Sequence, residues 1–188
     1  MRRALLTAGL AVACIAWALA QAVLAEDAGA ATVTERSVKA AYLYKFAGYV
    51  EWPDGKSGES APVTIGVLDA RDMADELARI TAGRLVNDRP VVVRQVSSGD
   101  SLAGVHVLFV GNKAGDRLGE LLLPVRERPI LTVTESAGAL ASGSIINFTV
   151  DRERVRFEVS LPAAERSKLK LSSRLLAVAQ RVQRTSGS

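Results

Sequence analysis

Four short, largely apolar runs constrain this chain more than anything else in it: Val63 to Leu68, Val91 to Val96, Val105 to Val110 and Ile130 to Val133. Each has the length and β-branched character of a strand, and each is apolar at successive positions rather than at alternate ones. Strands of that kind need cover on both faces. Helix-patterned segments lie between them. Asp72 with Asp75 opens a helix through Ile80 that Gly83 would close, and a second helix signal runs from Asp116 to Leu123. Strand and helix in alternation predict an α/β fold: a single layered domain with a mixed, partly parallel sheet flanked by helices. The mixed character comes from the C-terminal third. There Ile145 to Val150 and Val155 to Leu161 flank the polar turn Asp151-Arg152-Glu153-Arg154, and Phe157 and Val159 alternate with Arg156 and Glu158 as in an antiparallel hairpin. A helical turn at Pro162 to Arg166 and a short strand at Leu169 and Leu171 follow. Ser172 then N-caps a last helix that carries Leu175, Leu176, Ala179 and Val182 on one face.

The segment before the first strand, TERSVKAAYLYKFAGYVEWP at 34–53, has a helical period. Ala40, Leu43, Ala47 and Val50 form its apolar stripe, widened by Phe46. Thr32 and Glu35 have capping-box spacing at its start, and Pro53 is its expected stop. Tyr42, Tyr44, Phe46, Tyr49 and Trp52 are five of the nine aromatic residues in the chain. That is more than one stripe buries, so two readings stand: core anchors, or an aromatic patch for a partner.

Residues 1–25 read as a cleaved signal peptide. Arg2 and Arg3 precede an almost wholly apolar stretch, and Ala18-Leu19-Ala20 or Val23-Leu24-Ala25 offers small residues at the cleavage positions. A retained anchor is the rival, but about 17 apolar residues, many of them alanine, fall at the short end for a span. Export to the periplasm is expected, with no membrane span left after cleavage. Residues 26–33 would be a flexible leader, 34–184 the single domain and 185–188 a disordered tail. About 160 residues are enough for one sizeable core. Loss of Arg2 and Arg3 lowers the formal charge from +4 to +2, so nucleic acid is not implied as a partner. The only cysteine, Cys14, leaves with the signal, which removes disulfides and thiolate metal sites.

Catalytic chemistry finds little to use. The only histidine, His106, lies inside the strand Val105 to Val110, where a structural role outweighs a catalytic one. There is no G-x-S-x-G elbow. Gly55-Lys56-Ser57 is no phosphate loop, because Val50 stands where that pattern needs glycine. Asp75-Glu76 and Asp151-Glu153 sit in a helix start and a turn. Gly111-Asn112-Lys113-Ala114-Gly115 could bind an anion through backbone N–H groups or serve as a permissive turn. No catalytic residue, metal ligand or cofactor is assigned. The densest positive region is Arg152, Arg154, Arg156, Arg166, Lys168, Lys170 and Arg174. It is either a solvated face or a contact for an acidic partner or an anionic membrane surface.

Four strings then occur in a specific order: VKAAYLYKF at 38–46 with VEWP at 50–53, GSIINF at 143–148, VRFEV at 155–159 and LKLSSRLL at 169–176. In this the chain resembles the YfiR family of periplasmic proteins over nearly all of its length after the signal. The residues that carry the resemblance are Lys39, Ala40, Tyr42, Phe46, Pro53, Gly143, Asn147, Phe148, Phe157, Glu158, Leu171, Ser172, Ser173 and Leu175. Their expected roles are mainly structural. The resemblance implies a non-enzymatic regulator that binds the periplasmic sensor domain of an inner-membrane signalling protein. In the family's namesake that partner is a diguanylate cyclase, held inactive so that cyclic-di-GMP and biofilm formation are limited. Tyr49, Trp52, Arg152, Arg154, Arg156 and Arg174 are the candidate partner contacts, and a homodimer is left open. The alternative is a small-ligand-binding sensor subunit with its site at the strand ends. A hydrolase is the third class.

Overall fold

The aromatic segment is helical only as far as residue 47. In the computed structural model, which describes residues 35–53 and 61–184, helix α1 covers 35–47. The expected signal, leader and tail and the Thr32 cap lie outside the described residues, as do residues 54–60. At the end of α1 the Gly48 and Tyr49 N–H groups donate to the Lys45 and Phe46 carbonyls at 3.0 and 2.9 Å. These bonds tighten the last turn to a three-residue period. The chain then straightens into β1, Val50–Glu51, which pairs antiparallel with β9, Lys170–Leu171. The helix expected to run on to Pro53 is therefore too long. Val50 is buried as expected, but as a strand residue facing Leu171, a partner more than a hundred residues away that local periodicity does not register.

From Val63 on, the chain alternates as anticipated. In order come β2 (Val63–Leu68), α2 (Arg71–Thr81), β3 (Leu85–Val86), β4 (Arg89–Val96), β5 (Val105–Val110), α3 (Leu118–Leu122), β6 (Leu131–Thr134), β7 (Ile146–Asp151) and β8 (Arg154–Ser160). They are followed by α4 (Leu161–Arg166), β9, α5 (Ser173–Ala177) and β10 (Arg181–Gln183). Eight strands form one mixed sheet in the order β10-β8-β7-β6-β5-β2-β4-β3. The pairs from β7 through β6, β5 and β2 to β4 are all parallel, as is β10 with β8, whereas β7–β8 and β3–β4 are antiparallel hairpins.

Both faces of the sheet are covered over β2, β5 and β6, as their continuous apolar runs require; β4, expected to need the same cover, lies near the sheet edge and leaves Val92 44% exposed. On one face Ile65, Val67, Val107, Phe109, Val133, Phe148 and Phe157 pack under α1, α2, α4 and α5. On the other, Leu68, Leu108 and Val110 pack under Leu118 and Leu122 of α3. Phe46 is the hub of the first layer. Its ring centroid lies 4.9 Å from Phe157, 5.8 Å from Phe148 and 5.7 Å from Tyr42.

Beyond shifts of one or two residues at the ends of β4, β6, β7 and β8, four features depart from the sequence reading. The α2 N-cap is Ala70, with no side-chain cap, rather than Asp72. The helix expected over Asp116 to Leu123 is broken into a 3-10 turn (Asn112–Arg117), α3 and a second 3-10 turn (Leu123–Val125), because Gly115 is non-helical and Pro124 lacks an N–H. The β3–β4 hairpin was not anticipated, although Asn87 and Asp88, both at positive φ, make the tight turn that such a pair favours. Ser172 caps α5 as expected, but the helix stops at Ala177, and Val182 belongs to β10 opposite Val159 of β8.

Candidate partner-binding surface

Tyr49 projects from the short extended segment that α1 runs into, and half-buried Trp52 follows it, packed against the core. Along it the side chains alternate, so that Val50 is buried at 4% exposure while Tyr49, at 37%, faces out. The β1–β9 ladder sets Glu51 opposite Lys170. The Ser172 N–H extends it by donating to the Tyr49 carbonyl at 2.9 Å. Ser172 also caps α5, its Oγ accepting from the Leu175 N–H at 3.3 Å. The start of α5, with exposed Arg174, is thereby fixed beside Tyr49.

Lys168 reaches the same place by a different route. Helix α4 closes with paired bonds from the Lys168 N–H to the Glu165 carbonyl and from the Leu169 N–H to the Ala164 carbonyl, both at 2.9 Å. This is the Schellman arrangement, whose turning residue is usually glycine. Here that residue is Lys168, at φ 57°. Together Glu51, Trp52, Pro53, Lys168 and Lys170 line a groove of 300 Å³. An indole wall flanked by two ammonium groups suits a partner surface that offers carboxylates around an apolar contact.

Behind the groove lies His106. Trp52 meets its ring edge-on at 5.6 Å. The Thr64 N–H donates to Nδ1 at 3.2 Å, and Arg89 Nη2 lies 3.1 Å from Nε2. Arg89 also donates to the Ala61 carbonyl at 2.6 Å and the Pro62 carbonyl at 3.2 Å. His106 is thus a buried tie between the amino ends of β2, β4 and β5, and these contacts are structural. In the Gly111 to Gly115 loop, the Gly111 N–H donates to the Leu68 carbonyl at 2.9 Å and the Asn112 N–H to Glu135 Oε1 at 3.2 Å.

The remaining candidates do not converge on this groove. Arg152 and Glu153 form the tip of the β7–β8 hairpin, at the carboxyl end of β7 and so of the parallel strands beside it. Trp52 sits at their amino ends. Arg152, Arg154 and Arg156 are exposed at the opposite end of the sheet from Tyr49, Trp52 and Arg174. Lys168 and Lys170 belong to the groove instead. The expected strand at Leu169 and Leu171 carried part of that signal: β9 covers only Lys170–Leu171, with Lys170 exposed and Leu171 half-buried, while Lys168 is exposed on the turn that closes α4.

A model of the YfiR/HmsC-like family matches residues 36–180. The chain belongs to this family. No curated protein matches it. The positions that carry the YfiR-like strings are mostly scaffold. Lys39 is buried and paired with Glu135 at 2.7 Å, Ala40 and Leu175 are wholly buried, and Tyr42, Phe46, Phe148 and Phe157 make the aromatic layer. Asn147 accepts from Thr134 Oγ1 at 2.8 Å in a buried polar network, and Glu158 pairs with Arg181 across β8 and β10. Gly143 has φ 102°, and a Cβ there would stand 2.9 Å from Arg126 Nε, so only glycine fits. Leu171 and Ser172 build the β1–β9 ladder, Ser173 is exposed on α5, and Pro53 lines the groove. Among the described residues no helix is long and apolar enough to cross a membrane, and no group of three or more His, Cys, Asp or Glu could hold a metal ion.

Proposed function

We propose that this YfiR/HmsC-like chain is a non-enzymatic periplasmic regulator that binds the periplasmic sensor domain of an inner-membrane diguanylate cyclase. Binding holds the cyclase inactive and so limits cyclic-di-GMP and biofilm formation. The family match supports the regulatory class and the kind of partner. The observation that carries the reading to this chain's own residues is the groove at the amino ends of the strands. There half-buried Trp52 stands with Lys168, Lys170 and Glu51, and the Ser172–Tyr49 backbone bond sets exposed Tyr49 near the start of α5, which carries Arg174. Trp, Tyr and Arg are the residue types enriched in interface hot spots. The partner's contact would be acidic, with an apolar residue placed against the indole. Arg152, Arg154 and Arg156 at the far end of the sheet would serve a second contact or only solvation. The test is deletion of the gene, complemented with wild type or with a folded Trp52→Ala/Lys168→Ala/Lys170→Ala variant. Deletion should raise cyclic-di-GMP and surface attachment, and wild type alone should reverse both. Unchanged cyclic-di-GMP on deletion would end the repressor reading. Full complementation by the triple variant would move the interface elsewhere.

A further inference from the structure

A second cavity lies at the other end of the sheet from the aromatic groove, and its chemistry differs. It measures 350 Å³ and opens where β2 and β4 end, with Leu68, Val96, Leu108 and Leu121 as its apolar walls and Ser98 and Glu120 among its polar lining. The carboxyl ends of parallel strands are where open α/β sheets place their ligands, and this volume falls within the range of small-molecule sites. The loop between β4 and β5 forms one side of it. Two guanidinium groups hold that loop from different elements: Arg94 of β4 donates to the Ser101 carbonyl at 2.9 Å, and Arg128 donates to the Leu102 carbonyl at 3.2 Å. Within the loop, Asp100 accepts from the Ser97 N–H at 2.8 Å, and Gly99 and Gly104 turn the chain at positive φ. The loop is therefore a strap made of its own turns and pinned through carbonyls, with almost no apolar packing except half-buried Leu102.

We infer that this cavity is a binding site for a small molecule with an apolar body, such as one ring or a short chain, and a hydrogen-bond-donating head. The body fits the leucine and valine walls. The head is a hydroxyl or an amine rather than a carboxylate, because the polar lining carries two carboxylates, Asp100 and exposed Glu120, against the single guanidinium of Arg128. The inference is independent of the partner surface, which lies at the amino ends of the strands.

Three probes with the same phenyl body test it: 2-phenylethylamine, 2-phenylethanol and phenylacetate, titrated into the isotope-labelled full chain and followed by amide chemical shifts. The amine and the alcohol should shift Leu68, Val96, Ser98 and Leu121, and phenylacetate should bind about ten-fold more weakly. Leu121→Trp, which fills the cavity from a half-buried position, should abolish those shifts without lowering Tm. Glu120→Gln, an exposed change with no bearing on the fold, should reduce the preference for the amine. No shifts from any probe at millimolar concentration would overturn the inference, as would shifts confined to Glu51, Trp52 and Lys170. Equal binding of all three probes would overturn the assigned head chemistry.

Discussion

Replacing Lys168 by glycine should make the protein more stable and a weaker binder. Lys168 is exposed and occupies the left-handed turn position that closes α4, at φ 57°. For an L-residue that conformation costs roughly 1–2 kcal/mol. Glycine removes the cost but returns about 0.5–1 kcal/mol to the flexibility of the unfolded chain. The net gain is about 0.5–1 kcal/mol, which corresponds to a Tm rise of roughly 1–4 °C for a domain of this size. The same change deletes one of the two ammonium groups on the groove. An exposed ionic contact is worth roughly 0.5–1 kcal/mol, a two- to five-fold loss of affinity that should be larger at low salt. Lys168→Ala separates the two effects. It keeps the Cβ and loses the charge, so it should share the affinity loss without the stability gain. The assays are thermal unfolding by circular dichroism and calorimetric titration of the periplasmic domain of the proposed cyclase partner at two salt concentrations. A fall in Tm for Lys168→Gly would refute the account of the helix end. Unchanged affinity in both variants would refute the placement of the partner over this groove.

Three other outcomes follow from the core and the turns. Phe46→Ala should cost about 3–5 kcal/mol, because its ring is buried against Phe148 and Phe157, whereas Trp52→Ala should cost less and act chiefly on partner affinity; paired melting and binding curves decide between them. Lys39→Met should destabilise by about 3 kcal/mol in denaturant titration by leaving Glu135, in a site only 16% exposed, with the Asn112 N–H but without its cation, and adding Glu135→Gln should recover part of that loss. Arg152→Asn with Glu153→Gly should raise Tm by a few degrees, since both residues turn the β7–β8 hairpin at positive φ, at 48° and 62°.

Much of the architecture was legible because it is written in local patterns. Val63–Leu68 and Val105–Val110 match their strands to the residue, since short β-branched runs bounded by turn formers have few other solutions. The β7–β8 hairpin and the Ser172 cap were equally local. What escaped was set by distant partners. β1 and β10 are strands only because β9 and β8 offer them free edges, and each was read as the continuation of the helix beside it. Nothing within a few residues of Val50 or Val182 distinguishes a helix stripe from a strand that pairs elsewhere.

The site divides along the same line. The sequence by itself determined that aromatics concentrate before Pro53 and that basic residues concentrate after Arg152. Only the tertiary structure decided which of these residues meet. Antiparallel pairing of Val50 with Leu171 brings Trp52 to Lys168 and Lys170, while the β7–β8 hairpin carries Arg152 and Arg154 to the opposite end of the sheet. The physical reason is that a residue's charge and aromaticity are properties of the chain, whereas its neighbours depend on strand register, and register is fixed only when the two faces of the sheet are buried together.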